Sequence, residues 1–361
     1  MPNEMDRRLF LQVAGLAGAG AGAAALIGLS SAEEETAISG GMKMPEINIT
    51  EIEGIKVGHA QDLKAATGCT VITSEAGAVA GVDVRGGAPG TRETDLLNPA
   101  NLVEKIHAVL LTGGSAFGLD AASGVMQYLE ERNVGFDVKV TKVPIVCGAV
   151  LFDLMIGDYK VRPDKKMGYQ VCLNATDLRP EEGNVGAGTG ATVGKIFGMK
   201  RAMKSGLGIF CVQAGNLRVG ALAAVNCLGD VIDPTSGQIL AGALNEDLKT
   251  FSHTEEVMIQ AYADKKNLFG GNTTIGVIAT NAKFTKAQAN RIASMAHNGY
   301  GRTIRPAHSM FDGDTIFTMA TGQVDADVSV VGLLSARVME QAVIRAVKKA
   351  TSLGGLKVTR T

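Results

Sequence analysis

The sequence predicts a layered α/β or α+β sandwich, and three observations support that fold class. Its 361 residues are 46% hydrophobic and 20% charged, which is typical of a globular chain with a large core. Runs of strand-like and then helix-like sequence occur twice along the chain, an order typical of sheets packed with helices. The 46 glycines recur inside these segments without a collagen or linker period, which indicates tight turns and close backbone approaches.

Composition and charge exclude several classes of function. The net charge is −1, aromatic residues make up 4%, and no basic stripe is visible, so we expect no nucleic-acid partner. The five cysteines are widely spaced without a C-x-x-C pair, which indicates core residues rather than a metal knuckle or a disulfide scaffold. The histidines lack metal-ligand spacing, and we interpret His107 as a packing residue. We expect no metal site.

Residues 1–32 differ from the rest of the chain. Arg7-Arg8 precede Leu9-Phe10-Leu11, a Gly/Ala-rich apolar stretch follows, and small residues end at Ala32 before an acidic run. This order predicts a twin-arginine-type signal peptide, hence the twin-arginine export machinery as a partner and a periplasmic or extracellular location. A membrane anchor is the weaker alternative, because roughly 16 weakly apolar residues are short for a span.

The first half of the remaining chain is predicted to be rich in strands. We expect two short strands joined by a turn at Glu75–Gly77, a helix start at 98–104, and a buried strand through HAVLLTGGS. The following residues 116–132 have helical spacing. The Gly-Gly-Ser turn before them could offer N–H groups to an anion, although an ordinary strand–turn–helix joint is the simpler interpretation.

The second half contains a glycine-rich loop and a polar residue in an apolar strand. GNVGAGTGATVGK (183–195) superficially resembles a phosphate loop, but the Walker spacing fails because Ile196 follows Lys195. Asn226 interrupts the strand-like LRVGALAAVNCLGDV, which indicates that its amide serves a purpose. We expect a helix and then a linker over 240–271, a strand from Thr273, an amphipathic helix, a turn and strand from DGD, and a terminal helix.

The stretch FGGNTTIGVIAT (269–280) contains two threonines, and the question is whether one of their hydroxyls is a nucleophile. A threonine hydroxyl is a poor nucleophile without an adjacent base, and an N-terminal α-amine, with a pKa of roughly 7.7–8.0, can be that base. Thr273 could become N-terminal by attacking the Asn272 carbonyl, and flexible Gly270-Gly271 would permit the strained backbone this needs. The simpler alternatives are a hairpin turn or an Asn272-Thr274 glycosylation sequon.

Eight blocks in order resemble the L-aminopeptidase/D-esterase (DmpA-like) peptidase family, from Gly54 to about Gly322. They are GCTVI, VAGVDVRGGAPGTRETDLL, HAVLLTGGSAFGLDAASGV, RPDKKMGY, GNVGAGTGATVGK, VGALAAVN, NTTIGVIATNA and DGDTIF. Asn-Thr-Thr and Asp-Gly-Asp most resemble the branch of nylon-oligomer (6-aminohexanoate oligomer) hydrolases. The resemblance implies a four-layer αββα sandwich of the N-terminal-nucleophile-hydrolase type. It also implies self-processing into an α chain (33–272) and a β chain (273–361), homotetramers of αβ units, and no cofactor.

The resemblance also implies roles for individual residues. Thr273 would be the nucleophile, Asn226 an oxyanion donor, and Lys195 a cation that lowers the pKa of the Thr273 amine. Asp312 and Asp314 would orient Thr273 and bind its ammonium. Substrate-binding positions would be Phe152, Gly188 and Thr189, and Phe152 departs from the tyrosine of the nylon-oligomer branch.

The function expected from these residues is hydrolysis of short peptides or amino-acid oligomers through a threonine acyl-enzyme. Substrates would carry a free amino end, D- or β-residues, or ω-amino acid units. Two alternatives stay open. One is acyl transfer as in ornithine acetyltransferases, which share the fold and a self-liberated threonine; the other is a non-catalytic module that binds small ligands.

Overall fold

A computed structural model describes residues 35–38, 42–263 and 271–358. The predicted signal peptide (1–32) and Gly270 lie outside the described residues. Within the described residues, no helix combines the length and hydrophobicity needed to cross a bilayer.

The described helices and strands alternate along the chain. The helices are α1 (Ala121–Glu130), α2 (Lys165–Leu173), α3 (Thr254–Ala263), α4 (Lys286–Thr303) and α5 (Val328–Lys348). The strands are β1 (Glu35–Ile38), β2 (Met42–Pro45), β3 (Lys56–Asp62), β4 (Thr67–Val84), β5 (Thr91–Arg92), β6 (Lys105–Thr112), β7 (Phe136–Asp137), β8 (Lys142–Val143), β9 (Val146–Val150), β10 (Thr192–Val193), β11 (Met203–Lys204), β12 (Leu207–Ala214), β13 (Leu217–Asn226), β14 (Asp230–Ile232), β15 (Ile239–Ala241), β16 (Thr273–Ala282), β17 (Ile304–Arg305) and β18 (Thr315–Val324).

A nine-stranded mixed sheet dominates the fold. Its order is β12–β13–β16–β18–β4–β6–β9–β5, with β3 also paired to β4. β16 lies between antiparallel β13 and parallel β18. All ten residues of β16 are buried, so this strand is covered on both faces.

The sheet folds over on itself. In its order β12 and β9 are six strand spacings apart, about 29 Å in a flat sheet at roughly 4.8 Å per spacing. Yet Ile209 of β12 and Cys147 of β9 belong to one buried core cluster. The two halves of the sheet therefore face each other across this core.

Two further cores lie on the outer faces of the folded sheet. One joins α4 and α5 to β12, β13, β16 and β18, and includes Phe210, Ile278 and Val338. The other joins α1 and α2 to β4, β6 and β9, and includes Leu110, Val125 and Val171. Three cores separate four layers, which confirms the predicted αββα sandwich.

Several local predictions are confirmed. Helices occur where periodicity predicts them at α1, α4 and α5. A capping box of Thr285 and Gln288 begins α4, and the Asp327 carboxylate caps α5. All five cysteines are free and buried. His107 is buried, with its Nδ1 accepting the Ile145 N–H at 3.2 Å.

Three local predictions are wrong. Residues 67–84 form one strand with a register shift between Thr73 and Ala78, because Gly77 at φ +77° makes a bulge instead of a hairpin turn. Residues 98–104 form no helix, since Pro99 holds Asn98 extended and the Asn98 side chain accepts the Ala100 N–H.

The third wrong prediction is the helix expected from residue 240, because residues 240–253 form a strand end and turns. Leu240 and Ala241 belong to strand β15. The Asp247 carboxylate then accepts the backbone N–H groups of Lys249 and Thr250, which stabilises a turn. A helix begins only at Thr254, whose N–H donates to the Asp230 carboxylate at 2.8 Å.

Candidate active site

Three neighbouring strands bring the predicted residues to one edge of the sheet. Asn226 ends β13 and is in register with Thr273, which begins antiparallel β16. β18 runs parallel to β16, so its start lies at the same edge, directly after Asp312-Gly313-Asp314. The strand order therefore places the amide, the hydroxyl and the acidic turn together.

The Thr273 hydroxyl lies against the peptide bond that precedes it. Its Oγ1 donates a hydrogen bond to the carbonyl oxygen of Asn272. Asn272 is buried, and its side-chain amide has no hydrogen-bond partner among the described residues. A Cβ on Gly313 would lie 2.8 Å from Thr273 Oγ1, so only glycine permits this approach of the turn.

Thr274 has a different environment. Its backbone N–H donates to Asp314 Oδ1 at 2.8 Å, whereas its hydroxyl has no partner among the described residues. The second threonine is therefore anchored through its backbone.

Asn226 is fully buried, and its side-chain amide has a defined orientation. Its Oδ1 accepts the Thr192 N–H at 3.0 Å and the Lys195 ammonium at 2.8 Å. Its Nδ2 donates to the Phe152 carbonyl at 2.9 Å. An amide nitrogen has two N–H donors, so one remains for another acceptor.

Lys195 is buried against Asn226. Its ammonium also donates to the Asn226 backbone carbonyl, at 2.9 Å. Burial lowers the pKa of Lys195 to about 8, and the neighbouring Cys227, Asp312 and Asp153 oppose part of this shift. A cation that titrates near neutrality thus lies behind the Asn226 amide.

Hydrogen bonds hold both carboxylates of the acidic turn. Asp312 Oδ2 accepts the Ser309 hydroxyl and N–H, the latter at 3.1 Å. Asp314 accepts the Thr274 N–H, and its Oδ2 lies 2.8 Å from Nδ1 of His308. Burial, followed by the charge of Asp314, raises the pKa of Asp312 to about 6.

A cavity of about 330 Å³ opens at Thr273. The described residues that line it are Ala88, Pro89, Gly90, Ser115, Ala116, Val150, Leu151, Phe152, Gly271, Asn272, Thr273, Met310 and Phe311. The Phe152 ring packs on Gly271 so closely that a Cβ there would lie 2.6 Å from it. The nucleophile candidate and its preceding peptide therefore face a largely apolar space.

Gly188 and Thr189 do not belong to the described lining of this cavity. Both are buried; the Gly188 carbonyl accepts the Lys204 ammonium at 3.0 Å, and the Thr189 hydroxyl donates to the Asn184 carbonyl at 3.4 Å. They lie in the loop that leads to Thr192 and Lys195, both of which contact Asn226.

Sequence reasoning missed other residues at the site. Ser115 lines the cavity at φ +53°, an unusual conformation for a residue other than glycine. Asp153 is buried and accepts the Gly114 N–H at 2.7 Å and the Thr67 hydroxyl at 2.7 Å. The Gly-Gly-Ser turn was the available signal for Ser115. His308, which contacts Asp314, was also missed, and its position four residues before Asp312 was the signal for it.

The arrangement has the parts of an acyl-transfer site. A hydroxyl, an oriented amide donor, a buried ammonium and two carboxylates held by hydrogen bonds lie together at one edge of the sheet. Among the described residues, no group of three histidine, cysteine, aspartate or glutamate side chains is placed to hold a metal ion.

Comparisons with known proteins agree with this chemistry. The profile of peptidase family S58 matches residues 48–360. An uncharacterized aminopeptidase of Mycobacterium leprae is 41% identical over 347 residues, 87% of this chain and 94% of the relative. A 6-aminohexanoate-oligomer endohydrolase of Kocuria sp. is 30% identical over 313 residues, 82% of this chain and 85% of the relative.

Solved structures support the fold. The L-aminopeptidase D-Ala-esterase/amidase of Ochrobactrum anthropi, described as a variant of the Ntn hydrolase fold, superposes with a TM-score of 0.67 at 18% identity. The match covers 87% of this chain and 91% of that one. Together with the family profile and the relatives, this leads to one conclusion: the chain belongs to peptidase family S58 and is a hydrolase that acts on amide bonds.

Proposed function

We propose that this hydrolase cuts its own chain before Thr273 and then uses Thr273 as an N-terminal nucleophile. The contact of the Thr273 hydroxyl with the Asn272 carbonyl carries this proposal. The unpartnered Asn272 amide adds to it, because a buried polar group without a partner costs about 1–3 kcal/mol. Cleavage would release that amide from its site.

The self-cleavage follows from the neighbouring groups. Thr273 Oγ attacks the Asn272 carbonyl carbon, the bond to the Thr273 nitrogen breaks, and the hydroxyl proton passes to the released amine. Water then hydrolyses the resulting ester to an Asn272 carboxylate and a free Thr273 hydroxyl. The new α-amine, with a pKa of roughly 7.7–8.0, would serve as the base.

The same groups would then act on a substrate amide. Thr273 Oγ attacks the substrate carbonyl, Asn226 donates to the developing oxyanion, and the amine product leaves after taking the proton. Water releases the acyl group from Thr273. One donor of this kind typically contributes a factor of about 10²–10³ to kcat.

The two chains of the processed protein would stay together. β16 and β18 would belong to the β chain, yet they are flanked by β13 and β4 of the α chain. α4 and α5 would also pack on β12 and β13 across a continuous core. We further propose a homotetramer of αβ units, which sedimentation analysis tests.

Export by the twin-arginine machinery is part of the proposal. It rests on Arg7-Arg8 and the apolar stretch that follows. Arg7→Lys together with Arg8→Lys is expected to retain the protein inside the cell. Fractionation of the producing cells measures this.

Mass spectrometry of the purified protein tests the nucleophile. Wild type is expected to contain a chain that begins Thr-Thr-Ile-Gly at Thr273, whereas Thr273→Ala stays uncut and inactive, losing on the order of 10⁶-fold in kcat. Thr274→Ala is the matched control and is expected to cleave. An intact wild-type chain, or a cut Thr273→Ala chain, would refute the proposal.

A further inference from the structure

The Asp314 carboxylate lies between His308 and the residue that follows the nucleophile candidate. Its Oδ1 accepts the backbone N–H of Thr274 at 2.8 Å. Its Oδ2 lies 3.0 Å from the backbone nitrogen of His308 and 2.8 Å from the ring Nδ1 of the same residue. The side chain of Asp314 is 2% exposed and that of His308 is 23% exposed. One buried carboxylate therefore joins His308 to the backbone beside Thr273.

His308 reaches Asp314 with an unusual backbone conformation. Its φ is +59°, in the left-handed region that residues other than glycine seldom adopt. In this conformation its backbone N–H and its ring contact the same carboxylate oxygen. Such strained conformations persist where the surrounding contacts fix them, and they cluster at active sites. The conformation is thus a reason to examine what His308 does at the site.

The contact with Asp314 fixes where the His308 ring carries a hydrogen. Burial, followed by the negative charge of Asp314, raises the pKa of Asp312 to about 6. An ionised carboxylate only accepts hydrogen bonds, so Nδ1 of His308 must carry a hydrogen and donate it to Asp314. The ring also packs against His297 and Tyr300, with centroid distances of 4.9 and 6.3 Å. His308 is therefore an oriented donor.

Self-cleavage before Thr273 would leave this set of contacts in place. Thr274, His308 and Asp314 all follow Thr273 in the chain. The cut creates an amine on Thr273 and a carboxylate on Asn272, and it changes no atom of the other three residues. What the cut removes is the covalent connection on one side of Thr273. The position of the nucleophile then depends more on contacts made by the residues that follow it.

On the β18 side of β16, Asp314 makes the contact that lies next to the nucleophile. The described pairing of these two strands begins at Ile275 and Thr315. One residue earlier, the Thr274 N–H donates to the Asp314 side chain. A shift of Asp314 would therefore move the backbone attached to Thr273. A misplacement of about 1 Å can cost on the order of 10²-fold in rate.

We infer, on the basis of the proposed function, that His308 is a positioning residue for the Thr273 nucleophile. Its ring and backbone N–H groups hold Asp314, and Asp314 holds the Thr274 backbone so that the Thr273 hydroxyl faces the substrate carbonyl. His308 is not among the described residues that line the cavity, so it acts through Asp314. The role is greatest in the processed enzyme, because the uncut chain also restrains Thr273 through Asn272.

Two substitutions separate the hydrogen bond of His308 from the packing of its ring. Glycine and asparagine both tolerate a positive φ, so His308→Gly and His308→Asn can each keep the backbone conformation. Both variants lose the ring that packs against His297 and Tyr300. Only asparagine supplies a donor for Asp314, because its amide nitrogen, like Nδ1 of histidine, is bonded to Cγ.

Turnover of the processed enzyme is expected to distinguish the two variants. The assay uses L-alanyl-, β-alanyl- or 6-aminohexanoyl-p-nitroanilide, whichever wild type hydrolyses fastest. In His308→Gly, kcat should fall about 10- to 100-fold, the range for one hydrogen bond to a charged group, while KM changes less than about threefold. His308→Asn should recover kcat to within about fivefold of wild type.

Self-cleavage provides a second readout on the same variants. Mass spectrometry follows the appearance of the chain that begins at Thr273. Its rate should fall less than about fivefold in His308→Gly, because the uncut chain holds Thr273 from both sides. A loss of self-cleavage as large as the loss of kcat would overturn the inference, since a folding defect affects both.

The remaining outcomes separate this inference from the proposed function. Wild-type kcat in His308→Gly, or an equal loss of kcat in His308→Gly and His308→Asn, would overturn the inference and leave the proposed hydrolase standing. An uncut wild-type chain, or processed wild type that hydrolyses none of the three anilides, would overturn the proposed function and the inference with it.

Discussion

Lys195 and Lys204 are two buried lysines nine positions apart, and they differ in what their ammonium groups contact. Lys195 donates to the side chain and backbone of Asn226 at the candidate active site. Within the described part of the chain, Lys204 donates to backbone carbonyls alone, those of Gly188, Ala191 and Ser205. Burial lowers the pKa of Lys195 to about 8 and that of Lys204 to about 7. Burial thus disfavours the charged form of both lysines. Lys195 contacts an amide of the candidate active site, whereas Lys204 contacts the backbone of a glycine-rich loop.

Among variants that keep Thr273, the largest effect is expected for Lys195→Met. Losing the ammonium frees the Asn226 amide to turn away from the oxyanion, so kcat should fall about 10²–10³-fold with little change in KM. The ionisation of Lys195 near pH 8 should no longer contribute to the dependence of kcat on pH. Steady-state kinetics from pH 6 to 9 measure both, with the exposed Lys200→Met as control. Wild-type kcat in Lys195→Met would contradict this role.

Asp312→Asn tests the acidic turn, because Asp312 is one of the charged groups near Lys195. Since the pKa of Asp312 is raised to about 6, activity of wild type should fall as pH decreases through that value and the anion is lost. The variant should lack this acidic limb and have a plateau roughly 10- to 100-fold lower, as expected for one charged hydrogen bond. An unchanged acidic limb in the variant would assign that limb to another group.

Lys204→Met should change the free energy of unfolding rather than the activity. A folded pKa below the unfolded value means that the unfolded chain binds more protons, so the free energy of unfolding rises with pH above about 7. Between pH 7 and 9 this contribution is about 2 kcal/mol. Urea unfolding at pH 7 and pH 9 in the uncleaved Thr273→Ala background measures this change, and adding Lys204→Met should reduce the rise by about that amount. The exposed Lys200→Met should retain the rise.

The smallest effect is expected for Phe152→Tyr. The ring would keep its contact with Gly271 and gain one hydroxyl donor at the cavity. We expect kcat to rise about two- to fivefold, the size of one ordinary hydrogen bond. Phe311→Tyr, which adds a hydroxyl to another cavity-lining ring, is the matched control. A large loss of activity in Phe152→Tyr alone would show that this wall requires an apolar ring.

Local patterns in the sequence predicted much of the fold. Helical spacing located α1, α4 and α5, and the apolar run after Asn272 located β16. Failures occurred where a side chain or a glycine overrode the pattern, as at Gly77, Asn98 and Asp247. Such features depend on one glycine or on the hydrogen bonds of one side chain, to which averaged periodicity is insensitive.

The sequence by itself determined the order of the strands and helices, the family, and the residues to consider at the site, because propensity and motif spacing are local properties. Only the tertiary structure decided which of these residues meet. Thr273 and Asn226 are brought together by strand register, whereas Gly188 and Thr189, predicted to bind substrate, are not among the described residues that line the cavity. The cavity at Thr273 is lined by residues far apart in the chain, from Ala88 to Phe311, and these meet only because strands distant in sequence are neighbours in the sheet.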